Sequence, residues 1–282
     1  MYDIAGLLKR NNKLIMGILN VTPDSFYDGG KYFDANSAVD HSIEMINSGA
    51  DIIDIGGEST RPGSEPVPAQ EQINRIIPVL KKIRELSDVC ISIDTTSSKV
   101  AESALNEGAD IINDVSGLRF DARMPEVVLK YNSGIVIMHM LGEPATMQVN
   151  PYYERGVVEE ISDFFQERLT FCKRFGIPHD RMIIDPGIGF GKTTEHNLDI
   201  ISNCADFKKF NSPLLIGTSN KRFISAIMGD SMEDRLFGTV ATVAYAMLNG
   251  ADIFRVHNVG QIKKIMVMLN EIMKRNKEDD DS

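Results

Sequence analysis

The amino-acid sequence predicts an α/β protein of the (β/α)8 TIM-barrel class, with long βα loops after the first two strands. Short apolar runs alternate with amphipathic segments along the whole chain, which is typical of βαβ units in a parallel sheet. Eight such pairs occupy 282 residues, a usual length for a barrel that forms one domain. An open doubly wound sheet is the alternative fold, and eight units in one domain favour the barrel.

The predicted strands are nearly continuous apolar runs, as expected for a sheet that is covered on both faces. They are residues 13–19, 51–55, 89–93, 110–113, 134–138, 181–184, 213–217 and 252–256. The predicted helices are 37–48, 70–86, 97–107, 123–131, 154–175, 195–205, 221–228 with 233–249, and 259–274. Gly-Ala-Asp recurs at 49–51, 108–110 and 250–252, where each copy ends a helix and opens a strand, so one turn geometry is reused around the barrel.

Two connections are too long to be simple turns. Residues 21–36 and 57–69 follow the first and second strands and are rich in Gly and Pro. Loops of this length are usually functional or disordered, and barrel chemistry takes place on the side of the βα loops. We therefore predict that both are substrate lids. We expect residues 1–282 to form a single domain whose acidic tail, 275–282, is disordered.

Composition excludes several classes of partner. The net charge of −10 and the pI near 5.0 argue against a broad surface for nucleic acid or anionic membrane. Three cysteines without CxxC spacing disfavour a disulfide framework or a zinc site and favour a reducing compartment. The first apolar run, 14–21, is too short to span a membrane. We predict a cytoplasmic protein with no nucleic-acid partner and no membrane partner.

The stretch 183–193, IIDPGIGFGKT, first suggests a phosphate-binding loop. Only three residues separate Gly187 from Gly191, whereas a Walker motif needs four, and the spacing also fails the G-x-G-x-x-G fingerprint. An ATP-binding protein is therefore disfavoured. What remains is a strand that delivers Asp185 to its C-terminal end before a glycine-rich loop.

Nearly every predicted strand ends in a polar side chain. In a barrel these ends converge on one face, so the set indicates a ligand site, although any single member could be a loop cap. The set is Asn20, Asp54 with Glu58, Asp94, Asn113 with Asp114, His139, Asp185, Ser219 with Lys221, and Arg255 with His257. Acceptor and amide groups come from Asp94, Asn113 and Asp185, and they suit a planar heterocycle that carries N–H donors.

The cations of the set are Lys221, Arg255 and His257, with Arg61 from the second long loop. They come mainly from the last two strands, where barrels commonly place a phosphate site. A heterocycle at one end and a phosphate-like leaving group at the other are therefore predicted. Asn20 could hold Mg²⁺, which accepts one protein ligand together with substrate oxygens and water.

Eight ordered blocks between about residues 14 and 260 resemble the dihydropteroate synthases of bacterial folate synthesis. They are MGILNVTPDSFYDGG, GADIIDIGGESTRPGSEPV, ISIDT, IINDVSG, MHMLGEPATMQ, IIDPGIGFGKT, GTSNKRFI and FRVHNV. The resemblance implies a transferase that condenses 6-hydroxymethyl-7,8-dihydropterin pyrophosphate with p-aminobenzoate. The products would be 7,8-dihydropteroate and pyrophosphate.

The resemblance also assigns expected roles to individual residues. Asp94, Asn113, Asp185 and Lys221 would bind the pterin edge, with Met138, Phe190 and Gly217 lining its slot. Arg255, His257, Asn20 and Arg61 would surround the pyrophosphate, with Asn20 contacting Mg²⁺. Phe26, Thr60, Arg61, Pro62, Phe190, Ser219 and Lys221 would shape the p-aminobenzoate site. The expected catalytic residues are Lys221, Arg255, His257, Asp94 and Asp185, and no side-chain nucleophile is expected, so Ser219 is a site wall.

One position departs from the family pattern, which commonly has Ser-Arg-Lys where this chain has Ser219-Asn220-Lys221. Asn220 keeps open the alternative of a non-catalytic pterin-binding paralogue. A pterin-dependent methyltransferase is the other alternative, and the lid sequences NVTPDSF and STRPG count against it. The apolar faces of 233–249 and 259–274 are candidates for a homodimer contact.

Overall fold

Eight parallel strands form the predicted barrel, which is confirmed. The computed structural model describes residues 4–22, 27–28, 32–33, 35–59, 66–143 and 146–280. The barrel strands are β1 (Leu14–Asn20), β2 (Ile52–Gly56), β3 (Cys90–Asp94), β4 (Ile111–Asp114), β5 (Gly134–Met138), β6 (Met182–Asp185), β7 (Leu215–Ile216) and β8 (Ile253–Val256).

Hydrogen-bonded strands follow the order β6-β5-β4-β3-β2-β1-β8-β7. The ring closes between β6 and β7, where Ile184 forms a parallel bridge with Leu214. Ile184 also donates its backbone N–H to the carbonyl of Pro213 at 3.0 Å. β1 pairs with β2 on one side and with β8, the last strand of the chain, on the other.

The register of the strands aligns their polar ends. Asn20 at the end of β1 pairs with Gly56 at the end of β2. Gly56 pairs in turn with Asp94 of β3, and Asp94 pairs with Asn113 of β4. The same register places Met138 of β5 beside Asp185 of β6. The C-terminal ends of these strands therefore present their side chains to one mouth of the barrel.

Helices surround the strands, and most lie within three residues of their predicted bounds. They are α1 (Ile4–Asn11), α2 (Ala35–Asn47), α3 (Ala69–Leu86), α4 (Ser98–Asn106), α5 (Met124–Tyr131), α6 (Val157–Phe175), α7 (Thr194–Ser202), α8 (Arg222–Met228), α9 (Met232–Leu248) and α10 (Val259–Asp280). Short 3₁₀ helices occur at His179–Arg181 and Cys204–Phe210. Within the described ranges, no helix is long and apolar enough to cross a membrane.

α10 extends to Asp280, so the structure assigns helix to residues 275–280 of the tail that the sequence predicted to be disordered. Lys, Arg and Glu are good helix formers even in a segment without apolar residues. An ion pair between Lys274 and Glu271 at 2.6 Å stabilises the helical turn just before this stretch.

α1 covers the N-terminal end of the barrel and is absent from the sequence prediction. Its Ile4 and Leu7 are buried against the first inward residues of the strands, among them Leu14 and Ile253. A helix of eight residues is too short for its periodicity to stand out in the sequence. A second and larger apolar cluster lies between the strands and the outer helices.

Residues 23–26, 29–31, 34 and 60–65 of the two predicted lids lie outside the described residues. In the first, Tyr27–Asp28 pairs with Tyr32–Phe33 as a short antiparallel ladder. In the second, the returning end is held by Glu58, whose Oε1 accepts the backbone N–H of Val67 at 2.8 Å. Gln72 of α3 donates to Glu58 Oε2 at 3.0 Å. Glu58 therefore has a structural role at this loop.

Candidate active site

Four polar side chains meet at the floor of the barrel mouth. Arg255 of β8 donates from Nε to Asp54 Oδ2 at 2.7 Å and from Nη2 to Asp94 Oδ2 at 2.8 Å. Asn113 donates from Nδ2 to the same oxygen of Asp54 at 3.1 Å. Asp54, Asp94 and Asn113 are all buried. These contacts join β2, β3, β4 and β8 in one polar network.

The charges of this network offset one another. Burial lowers the pKa of Arg255, but the carboxylates of Asp54 and Asp94 together raise it above its ordinary value, so the guanidinium stays charged. Burial raises the pKa of Asp94 to about 7, although the charge of Arg255 acts in the opposite direction. Asp94 is therefore poised to respond to a charged or hydrogen-bonding ligand near neutral pH.

Asp54 is the member of the network to which the sequence prediction gave no role. Its side chain is fully buried, and a carboxylate is almost never fully buried unless it is paired. The signal was an aspartate inside the apolar run IIDIG. The Oδ1 atoms of Asp54 and Asp94 are also buried without a hydrogen-bond partner among the described residues. Because such an acceptor costs about 1–3 kcal/mol when unsatisfied, these oxygens suit the N–H donors of a ligand.

Asp185 ends β6 and begins the glycine-rich loop, as predicted. Its Oδ1 accepts the backbone N–H of Gly187 at 2.7 Å. Burial raises the pKa of Asp185 to about 6, although that hydrogen bond and the charges of Lys221 and Arg255 act in the opposite direction. A second carboxylate with a raised pKa therefore lies at the mouth.

The glycine-rich loop packs on its own chain and does not form a phosphate cradle. Its three successive carbonyls, at residues 189–191, each accept a side-chain hydrogen bond: Gln148 donates to the first at 2.6 Å, Lys192 to the second at 2.9 Å and Tyr153 to the third at 2.9 Å. Lys192, which completes the apparent G-K-T motif, therefore donates a hydrogen bond within the protein.

Phe190 and Lys221 form one wall of the mouth. The Nζ atom of Lys221 lies 4.2 Å from the centroid of the Phe190 ring, a distance typical of cation–π contact. Phe190 and Met138 belong to the same buried apolar cluster. The structure thus brings together three residues that the sequence prediction assigned to the heterocycle slot.

The ends of β7 and β8 are joined by Ser219 and His257. Ser219 Oγ lies 3.0 Å from His257 Nδ1 and accepts the backbone N–H of His257 at 3.2 Å. Gly217 lies beside Arg255, since a Cβ at Gly217 would be 3.6 Å from that of Arg255. Arg255 also contacts Asp94 directly. The sequence prediction placed these two residues with different parts of the substrate.

The backbone conformation at position 220 explains why asparagine is accepted there. Lys221 donates its N–H to the carbonyl of Thr218 at 3.2 Å, which closes a tight turn. Asn220 is the third residue of that turn and has φ of 58°, a left-handed position that favours Gly or Asn. The turn returns Lys221 toward the mouth, and the exposed Asn220 side chain is compatible with that arrangement.

Two other strand-end residues of the predicted set have internal partners. Asp114 accepts the backbone N–H groups of Ser116 and Leu118 at 2.8 and 3.1 Å and therefore stabilises the turn after β4. His139 is buried with its ring edge-on to Phe164, at a centroid distance of 5.0 Å.

Among the remaining predicted site residues, the structure describes Asn20 but not the four that come from the long loops. Asn20 ends β1 and is half-buried at the mouth. Within the described ranges, no group of three or more His, Cys, Asp or Glu side chains is suited to hold a metal ion. Phe26, Thr60, Arg61 and Pro62 lie outside the described residues.

Comparison with known proteins gives one family. Residues 16–257 match the pterin binding enzyme family. A dihydropteroate synthase of Clostridium beijerinckii is 44% identical over 262 residues, which are 93% of this chain and 94% of that protein.

Solved structures of dihydropteroate synthases are similar to this chain in fold. A dihydropteroate synthase of Xanthomonas albilineans with 4-aminobenzoic acid superimposes with a TM-score of 0.87 at 37% identity, covering 93% of each chain. A structure from the same organism in complex with 7,8-dihydropteroate has a TM-score of 0.83 at 34% identity, covering 93% of this chain and 94% of the other.

Proposed function

This chain belongs to the pterin binding enzyme family, and from that premise we propose that it catalyses the dihydropteroate synthase reaction. The substrates are 6-hydroxymethyl-7,8-dihydropterin pyrophosphate and p-aminobenzoate, and the products are 7,8-dihydropteroate and pyrophosphate. The observation that carries the proposal is the buried network of Asp54, Asp94, Asn113 and Arg255, in which the Asp94 and Asp54 Oδ1 atoms accept no hydrogen bond from the described residues.

The pterin would bind on this network. Its ring edge carries several N–H donors, for which Asp94 and Asp185 supply buried acceptors and Asn113 supplies an amide. Met138 and Phe190, which share an apolar cluster, would lie against the ring faces. Gly217 would leave room beside Arg255, and Lys221 would contribute an ammonium donor above Phe190.

The diphosphate would lie toward the ends of β1, β7 and β8. Arg255 uses Nε and Nη2 for its two carboxylates, and its third nitrogen, Nη1, would serve the anion, together with His257 and with Arg61 of the second loop. Asn20 supplies one hard oxygen ligand at the same mouth, which fits Mg²⁺ because this ion takes its other ligands from phosphate and water. When bound, Mg²⁺ would neutralise part of the diphosphate charge.

The reaction exchanges one bond at the pterin methylene carbon. Its C–O bond breaks and the pyrophosphate keeps the electron pair, while the p-aminobenzoate nitrogen forms a C–N bond and then loses a proton to water. Positive charge develops on the methylene and the ring, and the carboxylates of Asp94 and Asp185 stabilise that charge. The amine would approach along Phe190 and Ser219, with Phe26, Thr60 and Pro62 of the loops, and closure of those loops would exclude competing water.

A two-substrate assay tests the function. The purified chain is expected to release pyrophosphate only when pterin diphosphate, p-aminobenzoate and Mg²⁺ are all present, so removal of Mg²⁺ by a chelator is expected to abolish the release. Binding of the pterin diphosphate without any product at saturating p-aminobenzoate would instead support a non-catalytic pterin-binding protein.

Lys221→Ala is expected to lower kcat/KM by about 100-fold. The variant lacks the ammonium that would bind the pterin edge and whose charge lowers the pKa of Asp185. Steady-state kinetics with each substrate varied in turn measures this effect. Lys209→Ala, at an exposed position outside the mouth, is the matched control and should behave as wild type. Unchanged kinetics in Lys221→Ala would contradict its assigned role.

We also propose a homodimer formed through α9 and α10. These helices contact each other and carry exposed apolar side chains, including Phe237 at 55% and Met268 at 63% exposure, and large exposed apolar patches mark contact surfaces. Sedimentation equilibrium should give a dimer for wild type and a monomer for a Phe237→Glu, Met268→Glu double variant. Phe120→Glu, at an exposed apolar position between β4 and α5, is the control. A monomeric wild type would contradict the proposal.

The proposed location is the cytoplasm. Cys90, Cys172 and Cys204 are all free and buried, which suits a reducing compartment. Recovery of the protein in an exported or membrane fraction of fractionated cells would contradict this location.

A further inference from the structure

A buried lysine lies directly behind the glycine-rich loop. Lys192 is only 3% exposed, and lysine is almost never fully buried unless its ammonium has partners. Its Nζ donates to the carbonyl of Phe190 at 2.9 Å and lies 3.0 Å from Nδ1 and 3.4 Å from the carbonyl of His139. Two of these partners are carbonyl oxygens and the third is a histidine ring nitrogen, so the amine is held by hydrogen bonds to two separate segments of the chain.

Those two segments carry Phe190 and Met138, which the proposed function places against the faces of the pterin ring. Phe190 lies in the loop after β6, and His139 follows Met138 at the end of β5. Of the three side chains that bind the loop carbonyls, Gln148 binds Gly189 and Tyr153 binds Gly191. Lys192 alone among these three also forms hydrogen bonds to His139, the residue that follows β5, whereas Tyr153 meets His139 by a tilted ring contact at 6.1 Å.

The hydrogen bonds of Lys192 can all be made whether its amine is protonated or neutral. Burial lowers the pKa of Lys192 to about 7, although the charge of Asp185 acts in the opposite direction. Burial also lowers the pKa of His139, and Lys192 and Arg119 lower it further. The ammonium form of Lys192 can donate to both carbonyls and to His139 Nδ1. The neutral amine can donate to both carbonyls and accept a hydrogen bond from Nδ1 when neutral His139 carries its proton there. In both states the two carbonyls stay bound.

We propose that Lys192 is a positioning residue for the reaction: by binding the Phe190 carbonyl to the end of β5, it fixes the Phe190 ring beneath Lys221 and sets the width of the slot between Phe190 and Met138. This inference rests on the proposed function for its kinetic consequence. Its structural consequence, a Phe190 carbonyl tied to the end of β5 by one side chain, is independent of any activity.

Lys192→Met tests the proposal in the full chain, because it keeps the length of the side chain and removes every donor. Amide hydrogen exchange of the peptide that spans 187–191 is expected to accelerate in the absence of substrate. The KM for the pterin diphosphate is expected to rise by about 10- to 100-fold, while kcat changes less. Lys173→Met, at an exposed position on α6, is the control and should leave both measurements unchanged.

The two readouts separate the possible failures. A wild-type chain that releases no pyrophosphate refutes the proposed function, and the exchange measurement still tests the role of Lys192 in the loop. A Lys192→Met chain with lower thermal stability, but with unchanged loop exchange and a pterin KM within about twofold of wild type, overturns the proposal. If Lys192→Met does not fold, Lys192→Gln keeps a donor for one carbonyl, and the same two outcomes decide.

Discussion

Arg255→Leu is expected to cost about 3–5 kcal/mol of unfolding free energy, because it leaves buried carboxylates without their cation. Arg255 pairs with Asp54 at 2.7 Å and with Asp94 at 2.8 Å, and both carboxylates are buried. Turnover is expected to fall by at least about 100-fold, since the same guanidinium orders the pterin floor and faces the developing diphosphate charge. Chemical denaturation and steady-state kinetics measure the two effects.

Two comparisons isolate the cause. Arg84 forms a similar pair with Asp110 at the opposite end of the barrel, so Arg84→Leu should lower stability without changing kcat. Adding Asp54→Asn to Arg255→Leu removes one of the unpaired buried charges and should recover about 1–3 kcal/mol, with no recovery of activity. A double variant that is no more stable than Arg255→Leu would contradict the ion-pair account.

Gly187→Ala is expected to displace the loop that carries Phe190 and to lower turnover by about 100-fold. Gly187 has φ of 69°, and a Cβ at this position would lie 2.0 Å from the carbonyl oxygen of His139. The left-handed backbone alone costs about 1–2 kcal/mol for a residue other than glycine. Since the neighbouring atom is backbone, relief of the overlap requires that the loop move away from β5, which also breaks the hydrogen bond from Gly187 to Asp185.

Gly260→Ala is the matched control. Gly260 lies near the start of α10, where the nearest atom to an added Cβ is 3.6 Å away, so the change should stabilise the chain by about 0.5–1 kcal/mol. Thermal unfolding and pterin titration of both variants would distinguish the two positions. Wild-type pterin affinity in Gly187→Ala would mean that the loop accommodates a side chain, contrary to the geometry.

The barrel and most strand-end residues could be predicted because their signals are local. An apolar run followed by Asp94 or Asp185 indicates a buried strand with a polar end within a few residues of sequence, and the structure places both as the last residue of their strands. The turn at Asn220 also follows from local backbone preference, although its geometry required the structure.

Pairings between distant segments could not be predicted. The bond between Arg255 and Asp54 joins residues 201 apart in the chain, and no local pattern specifies which carboxylate the guanidinium reaches. Lys192 belongs to a glycine-rich motif that suggests phosphate binding, and only the fold shows that its amine points to Phe190 and His139. α1 was missed because a short helix gains its stability from packing on the barrel.

The pairing of β1 with β8 has a consequence for biosynthesis. Leu14 lies beside Ile253 in the sheet, so a growing polypeptide keeps an unpaired strand edge from its first strand until nearly all of it has left the ribosome. Contacts of such separation are slow to form because a long loop must close first. The final strand also brings the guanidinium that neutralises Asp54 and Asp94. Pairing of β1 with β8 and charge neutralisation are therefore one late event, and incomplete chains carry both an open edge and uncompensated acidic groups.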